Sequence, residues 1–546
     1  MIKGLLFGGE AGQGIDRTAS LMGEILISAG FFCFLNREYS SLIRGGHNFD
    51  TLTFSDQPIF STPEKIDLLI AFDNDSITNH QHKLKSSGHI IGAHNLLSQD
   101  VWLKIDAHSF VRQRRIQSVF GNNIFIGALI KYFGLPISIS EQIINRGFSK
   151  KEAVIIKEAI KIGYDLGQVQ EKLIIKKKQL IFLKGNAAIA QGALKAGLEI
   201  TFYYPITPAT SVFDELKKLD DKQQVKIIQL ENEIAVINAA LGASFAGAMS
   251  FVGTSGPGFA LMTESLSLAG MAEIPIVLYL AMRPGPATGM PTFTAQDDLK
   301  FALSAGHGEF PKVVLAPGDA SEAFARIIEA FYLAYKYRVP VIILGDKHLS
   351  ESYFSFTKLQ KPQVKANKFI SQSITNYRSY KITKTGVSPR LIPGQGPIVR
   401  ATSYEHDEDG HTTEDGKIAV AMKDKRQAKN IFIAKEIHDK LKPINIFGKG
   451  ENLIISWGST KGAILDSLSR LDGWRFLQII YLDPFPTDQV MQEIKLAKRV
   501  VLVENSSVGF LSSLIHQQTG FLIKDKILKY DGQAFSPDEI INKISH

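Results

Sequence analysis

TFYYPITPAT (Thr201–Thr210), ENEIAVINAALGASFAGA (Glu231–Ala248) and the run from GTSGPGF (Gly253–Phe259) to MRPGPATGMPT (Met282–Thr292) belong to one stretch, Thr201 to Gln296, whose reading decides the fold. A hydroxyl, Thr207, sits in a turn stiffened by two prolines. A carboxylate, Glu233, opens an Ala/Gly-rich helix pattern. A guanidinium, Arg283, follows directly on the apolar run IPIVLYLAM (Ile274–Met282). Apolar runs closed by glycine and proline turns, with helix patterns between them, predict an α/β architecture whose polar groups gather at turns.

From Ile234 to Met249 almost every side chain is small or apolar, so this helix is expected to be buried on most of its surface and closely packed. A carboxylate at its entrance is favoured by the helix dipole when ionised, and is costly to bury unless something shares its proton. An isolated glutamate here reads equally as an N-terminal cap. Its company points to chemistry: the glycines of GTSGPGF let backbone approach a ligand, and Arg283 has the fork that suits a planar carboxylate.

Tyr204-Pro205-Ile206-Thr207-Pro208, Glu233-Ile234-Ala235, Thr254-Ser255-Gly256-Pro257-Gly258-Phe259 and Arg283-Pro284-Gly285-Pro286-Ala287-Thr288-Gly289 with Pro291-Thr292 resemble the 2-oxoacid:ferredoxin oxidoreductases, and more narrowly the α subunit of the 2-oxoglutarate type. The resemblance implies oxidative decarboxylation of a 2-oxoacid to an acyl-coenzyme A and CO2, with reduction of ferredoxin. It gives Glu233 the contact to N1′ of the thiamine diphosphate aminopyrimidine. It places Tyr204, Pro205, Ile206 and Gly256 around the cofactor, and Thr207 and Arg283 on the substrate carboxylate. The same reaction on pyruvate or on branched-chain or aryl 2-oxoacids, and a non-catalytic scaffold paralogue, stay open as alternatives.

At 546 residues the chain should form about three domains, and 45% hydrophobic with 21% charged residues is a globular composition. No apolar run approaches the ~20 residues of a membrane span, and MIKGLLFGGEAGQG reads as a first strand and its turn rather than a secretory signal. A cytoplasmic protein is expected. The net charge of +8 comes from scattered lysines, without zinc-finger spacing or an aromatic-plus-basic signature, so nucleic acid is not an expected partner. A basic surface equally suits coenzyme A, a diphosphate or an acidic electron carrier.

The single cysteine, Cys33, lies in FFCFL and reads as a core residue. One thiol cannot hold an iron–sulfur cluster, which needs several thiolates, so electrons must leave through another chain. No G-D-G with a following Asn-containing segment is present to hold magnesium and diphosphate. The resemblance places the Mg2+ and iron–sulfur sites on a β subunit, so that this chain encloses half of a shared thiamine diphosphate site in an αβ or (αβ)2 assembly.

Residues 1–170 open with strand IKGLLF, the loop GGEAGQG and a helix from Asp16, an order that presents backbone N–H groups to an anion. The glycines do not fit G-x-G-x-x-G, so nicotinamide binding is weakly supported, and a plain tight turn is the simpler reading. REYSSLIRGGHNF then gathers Ser40, Ser41, Arg44 and His47 around a Gly-Gly pair. Together these loops resemble the family's γ domain, fused ahead of the α part, and the resemblance puts Ser41 and Arg44 near the coenzyme A side of the site. Lys150 to Lys178 is helical and then charged, a link to the next domain.

Residues 179–350 are the expected thiamine diphosphate pyrimidine-binding domain. Ser255 is not a hydrolase nucleophile: Pro257 takes the last glycine position of G-x-S-x-G and no paired His is visible. His307 and Glu309 are expected to order a loop over the pocket. Residues 351–450 turn polar and irregular, a linker with an insertion. There His406, Asp407, Asp409, His411 and Glu414 match neither zinc nor EF-hand spacing, and a solvated loop is the preferred reading. Residues 451–546 are expected to form a small parallel α/β unit resembling the transketolase C-terminal domain.

Overall fold

The computed structural model of the chain describes residues 1–41, 46–220, 224–373 and 375–545. It divides into two compact units, Met1–Leu183 with Glu351–Lys358 and Ser536–His546, and Lys184–Ser350 with Leu359–Phe535.

The first unit is built on one sheet, in the order Val101–Ile105, Leu84–Ala93, Ile66–Ala71, Ile2–Glu10, His47–Ser55, Phe32–Glu38, Tyr353–Phe356 and Ile181–Lys184. The first strand, Ile2–Glu10, runs parallel to Ile66–Ala71 and antiparallel to His47–Ser55, so the sheet is mixed. Its register, Leu5 opposite Leu52 and Phe7 opposite Asp50, sends Leu5 and Leu52 into one core with Ala19, Met22 and Ile25 of the helix Ile15–Ser28. Gly14 starts that helix at φ 80°, a left-handed conformation that glycine takes without strain. Cys33 is fully buried, and burial pushes its thiol pKa up, as a core cysteine requires. The helix Lys150–Leu166 begins with a capping box, Ser149 and Glu152, and the lysine-rich residues beyond it carry no regular structure up to Ile181.

The second unit holds two sheets among the described residues. The larger has the order Tyr481–Asp483, Val313–Leu315, Pro340–Asp346, Ile276–Met282, Ser250–Thr254, Ile200–Tyr203 and Lys226–Gln229, parallel throughout except for the first. Every residue of Ile276–Met282 is buried, which is why IVLYLAM is apolar without alternation: a central parallel strand is covered on both faces. The smaller sheet, Ile444–Gly448, Trp474–Ile479, Asn452–Ser456, Val500–Glu504 and Asp525–Leu528, is parallel apart from its antiparallel edge Ile444–Gly448. The strands of this sheet that lie within 451–546 pair in parallel, as the sequence predicts, and the antiparallel edge Ile444–Gly448 comes from the preceding residues, read from the sequence as linker. One hydrophobic core runs through this unit, from Val236 and Phe259 to Trp457 and Leu502.

The described residues from 357 to 415 form no helix or strand beyond two isolated bridges, and a 21-residue helix, Gly416–Glu436, follows them. Of the imagined metal set, Asp407, Asp409 and His411 lie together at the surface, where Asp407 accepts from the Asp409 and His411 backbone N–H groups. His406 departs from the solvated-loop reading: it is fully buried against the Tyr380 ring, with Nδ1 bonded to the Tyr404 carbonyl.

Candidate functional site

Four neighbouring strands of the larger sheet, Ile276–Met282, Ser250–Thr254, Ile200–Tyr203 and Lys226–Gln229, run in one direction. Their carboxyl ends therefore share one edge, where open α/β sheets expose loops to ligands. The segments leaving that edge are Arg283 with its glycine–proline loop, Ser255–Gly258, Tyr204–Pro208, and the residues leading to Glu233. Groups up to 79 positions apart in sequence, Tyr204 to Arg283, are thus brought to one side of the sheet by topology alone.

Glu233 is the first residue of the helix Glu233–Phe245, and the capping work belongs to Asn232, whose side chain accepts from the Ala235 N–H at 2.9 Å. The Glu233 carboxylate is consequently free of that duty, although the residue is only 6% exposed. Among the described residues it makes no hydrogen bond or ion pair. Gly258 explains how it fits: a Cβ there would overlap Thr254 Oγ1 and lie 2.5 Å from Glu233 Oε1. The glycine in GTSGPGF makes room for a carboxylate, in addition to any ligand.

Arg283 is 8% exposed and donates from Nη1 to the Thr207 carbonyl at 2.7 Å, so it touches the YPITP turn through backbone rather than through the Thr207 hydroxyl. The turn is closed by Thr210, whose Oγ1 accepts from the Ile206 N–H at 2.7 Å and donates to the Ile206 carbonyl at 3.0 Å. From behind, the fully buried Asn186 donates to the Pro208 carbonyl at 2.9 Å. Tyr204 and Pro205 are left exposed, and Ile206 and Thr207 half-buried.

Among the buried polar atoms without a partner in the described residues are Ser255 Oγ, Arg283 Nε, Thr292 Oγ1 and Asp298 Oδ2, on or close to the segments that leave this edge. Orphaned polar atoms are costly unless something else satisfies them. Burial draws the Arg283 pKa down while Asp298 opposes the fall. Burial, then the neighbouring Asp297, lifts the Asp298 carboxyl to about 6 against the pull of Arg283. Gly256, at the start of the helix Gly256–Met271, lies against the same carboxylate: a Cβ there would stand 2.9 Å from Asp298 Oδ2.

The loop after Arg283 is pinned by the C-terminal part of the same unit. Thr294 N–H donates to the Gly532 carbonyl, Gln296 N–H to the Asn505 carbonyl, and the Gln296 side chain bonds both Asn505 N–H and the Trp457 carbonyl. His307 N–H and carbonyl both bond the Ser267 hydroxyl, and Glu309 pairs with Lys423 at 3.0 Å, consistent with an ordering role for both residues. In the first unit Ser41 is exposed, Arg44 lies outside the described residues, and His47 Nε2 meets His80 Nε2 at 2.7 Å.

Asn232, Asn186 and Asp298 were not legible as site residues. Asn232 alone carried a usable signal, since asparagine is a preferred N-cap before an apolar helix.

Residues 4–166 match the family model for pyruvate ferredoxin/flavodoxin oxidoreductase, and residues 191–425 that for its thiamine diphosphate-binding region. The chain is 34% identical to the 2-oxoacid:ferredoxin oxidoreductase subunit alpha of a Sulfolobus species, over 98% of this chain and 95% of that protein. It is 28% identical to the 2-oxoglutarate synthase subunit KorA of Methanothermobacter thermautotrophicus, over 66% of this chain and 97% of the relative. Among solved structures, the 2-oxoglutarate:ferredoxin oxidoreductase of Magnetococcus marinus, with 2-oxoglutarate, coenzyme A and succinyl-CoA bound, superposes with a TM-score of 0.88 at 27% identity, covering 100% of this chain and 99% of that one.

Proposed function

The chain belongs to the family of 2-oxoacid:ferredoxin oxidoreductase α subunits, and on that premise we propose that it is the α-type part of an enzyme that converts 2-oxoglutarate, coenzyme A and oxidised ferredoxin to succinyl-CoA, CO2 and reduced ferredoxin. The observation that carries this reading is the delivery of Glu233, Thr207 and Arg283 to one sheet edge, with a nearly buried Glu233 carboxylate that has no partner among the described residues.

The residues present fit a thiamine diphosphate aminopyrimidine. Glu233, 6% exposed, offers an acceptor for a ring nitrogen, Gly258 leaves that acceptor its space, and Gly256 lies against Asp298 on the same edge. Tyr204, Pro205 and Ile206 form the rim. When bound, thiamine diphosphate supplies the electron sink that decarboxylation of a 2-oxoacid requires. Glu233 would hold the aminopyrimidine through a hydrogen bond from Oε1 or Oε2 to N1′, the contact by which a carboxyl group can favour one tautomer of the ring. Arg283, with Nε unpartnered, and Thr207, with its hydroxyl on the turn that Arg283 braces, orient the substrate carboxylate. One such charge-assisted bond contributes about 1.5 to 3 kcal/mol.

The iron–sulfur cluster is assigned to a β subunit because Cys33 is the single cysteine and is buried in the core, and the diphosphate with its Mg2+ because the sequence has no G-D-G segment to hold them. The helices Glu233–Phe245 and Gly256–Met271 support an interface beside the site: Ile234 is 51% and Leu261 50% exposed, each on a helix without a strongly polar outer face. A second subunit laid on these helices closes the cofactor site and gives an αβ or (αβ)2 enzyme. Ser41 and Arg44 are its contacts toward coenzyme A, and the enzyme works in the cytoplasm.

The test is the assembled complex with its β subunit and ferredoxin, assayed on a panel of 2-oxoacids. Turnover is expected with 2-oxoglutarate, and Glu233→Gln should lower it at least about 100-fold, the scale of a lost proton-transfer partner. A preference for pyruvate corrects the substrate, and full activity of Glu233→Gln removes the role assigned to that carboxylate.

A further inference from the structure

Asp298 is the least expected member of the edge. It follows Gln296, which the backbone and side-chain bonds to Asn505 and Trp457 hold in place, so its position is set by the fold and not by a loose loop. Its Oδ2 is buried without a partner, close to the start of the helix Gly256–Met271. Arg283 is near enough for each charge to act on the other, yet among the described residues the two form no ion pair within 4 Å, and Arg283 Nε is itself unpartnered. A guanidinium and a carboxylate held near one another, each partly desolvated and each with one buried atom unpartnered, leave room for a third polar group.

We propose that Asp298 is a positioning residue that couples capture of the substrate carboxylate by Arg283 to the uptake of one proton. The proposal rests on the assignment of Arg283 to the substrate carboxylate given above. An ionised Asp298 repels that carboxylate across a site of low dielectric. Protonated on Oδ2, with the proton taken from bulk water, it becomes a neutral hydrogen-bond donor and no longer repels the carboxylate that Arg283 holds. No other bond changes, and the proton returns to water when the carboxylate leaves.

The charged groups facing Asp298 are Asp297, which favours the protonated form, and Arg283, which favours the ionised one. Asp297 is itself raised by burial and held by the Gly285 N–H. With Asp298 at about 6 in the free chain, pH 7 to 8 finds it mostly ionised, so substrate binding there must draw a proton in. The sign follows: affinity for the 2-oxoacid falls as pH rises above about 6, by up to tenfold per pH unit for one proton.

The experiment uses the assembled holoenzyme. KM for 2-oxoglutarate is measured from pH 6 to 8.5 for wild type and Asp298→Asn, with the affinity for thiamine diphosphate followed in parallel. Protons taken up on 2-oxoglutarate binding are counted by calorimetry in two buffers of different ionisation enthalpy. The expected result is a wild-type KM that climbs with pH, close to one proton taken up near pH 7.5, and a flat KM profile in Asp298→Asn with cofactor affinity retained. The same pH slope in the variant, or no proton uptake by wild type, overturns the proposal. The proton count on wild type decides even if the variant does not fold. Robust turnover of 2-oxoglutarate with no proton uptake sinks this inference alone, whereas a holoenzyme that turns over no 2-oxoacid sinks the functional reading and takes this one with it.

Discussion

Glu233 shows what one residue type does when its usual task is taken by a neighbour. A glutamate opening a helix ordinarily serves the first turn. Here Asn232 satisfies the Ala235 N–H, and the Glu233 side chain is turned toward Gly258 and Thr254. The geometry makes Gly258 as informative as the acid. Gly258→Ala pushes a methyl group into Thr254 Oγ1 and Glu233 Oε1, so either the carboxylate or the helix Gly256–Met271 must move. Turnover of the assembled enzyme is expected to fall about 100-fold, the effect of a displacement near 1 Å, for a stability cost of about 1 to 3 kcal/mol. Steady-state rates beside a thermal melt check both, and near-wild-type turnover would show that Glu233 needs no fixed position. The sequence named Glu233, Thr207 and Arg283 because side-chain chemistry and motif order lie in the chain itself. Asp298 stayed hidden because its burial and its distance from Arg283 are made by the turn between them.

At the scale of the element, the helix Gly416–Glu436 is the clearest failure of pattern reading. Its buried positions, Met422, Lys425, Arg426, Lys429, Ile433 and Glu436, recur at helical spacing, but four of the six are charged, so no apolar stripe announces them. Two of them, Lys425 and Lys429, face one carboxylate. Glu273 is fully desolvated and lies against Lys425 and, at 2.6 Å, Lys429, while Arg338 Nε donates to its backbone carbonyl. Burial first, with Lys425 and Arg338 adding to it and Glu273 opposing, draws Lys429 down to about 7; Lys429 and Lys425 hold Glu273 well below the carboxylate range despite its burial. Glu273→Ala leaves two buried lysines uncompensated, a loss of about 3 to 5 kcal/mol. The expected outcome is a fall of about 100-fold or more in hydrogen-exchange protection along residues 416–436, with the helix Ile15–Ser28 unchanged. Protection that stays at the wild-type level would mean the helix is held by other contacts.

For the whole molecule, the proposed half-enclosed site would make activity depend on a partner. The purified chain is expected to show no 2-oxoacid oxidation by itself and to gain it on addition of the β subunit. Ile234→Glu with Leu261→Glu should abolish that gain and the shift in elution volume that accompanies assembly, without disturbing the fold, since both side chains are half exposed. A double variant that still assembles and turns over would place the interface elsewhere. The α/β class, the order of the motifs and the residue types at Glu233, Thr207 and Arg283 were legible in the chain, because strand and helix periodicity and residue type are local properties. Neighbours remote in sequence were not. Parallel strand order sets Ile200–Tyr203 between Lys226–Gln229 and Ser250–Thr254, and only that order turns four separate loops into one edge. The same packing desolvates Asp298 and Glu273, buries His406 and lets loop residues beyond the C-terminal strands pin the loop after Arg283. Residue identities therefore determined which reactions are possible, and tertiary structure decided which groups meet and how strongly their charges act, because desolvation and distance arise only when the chain is packed.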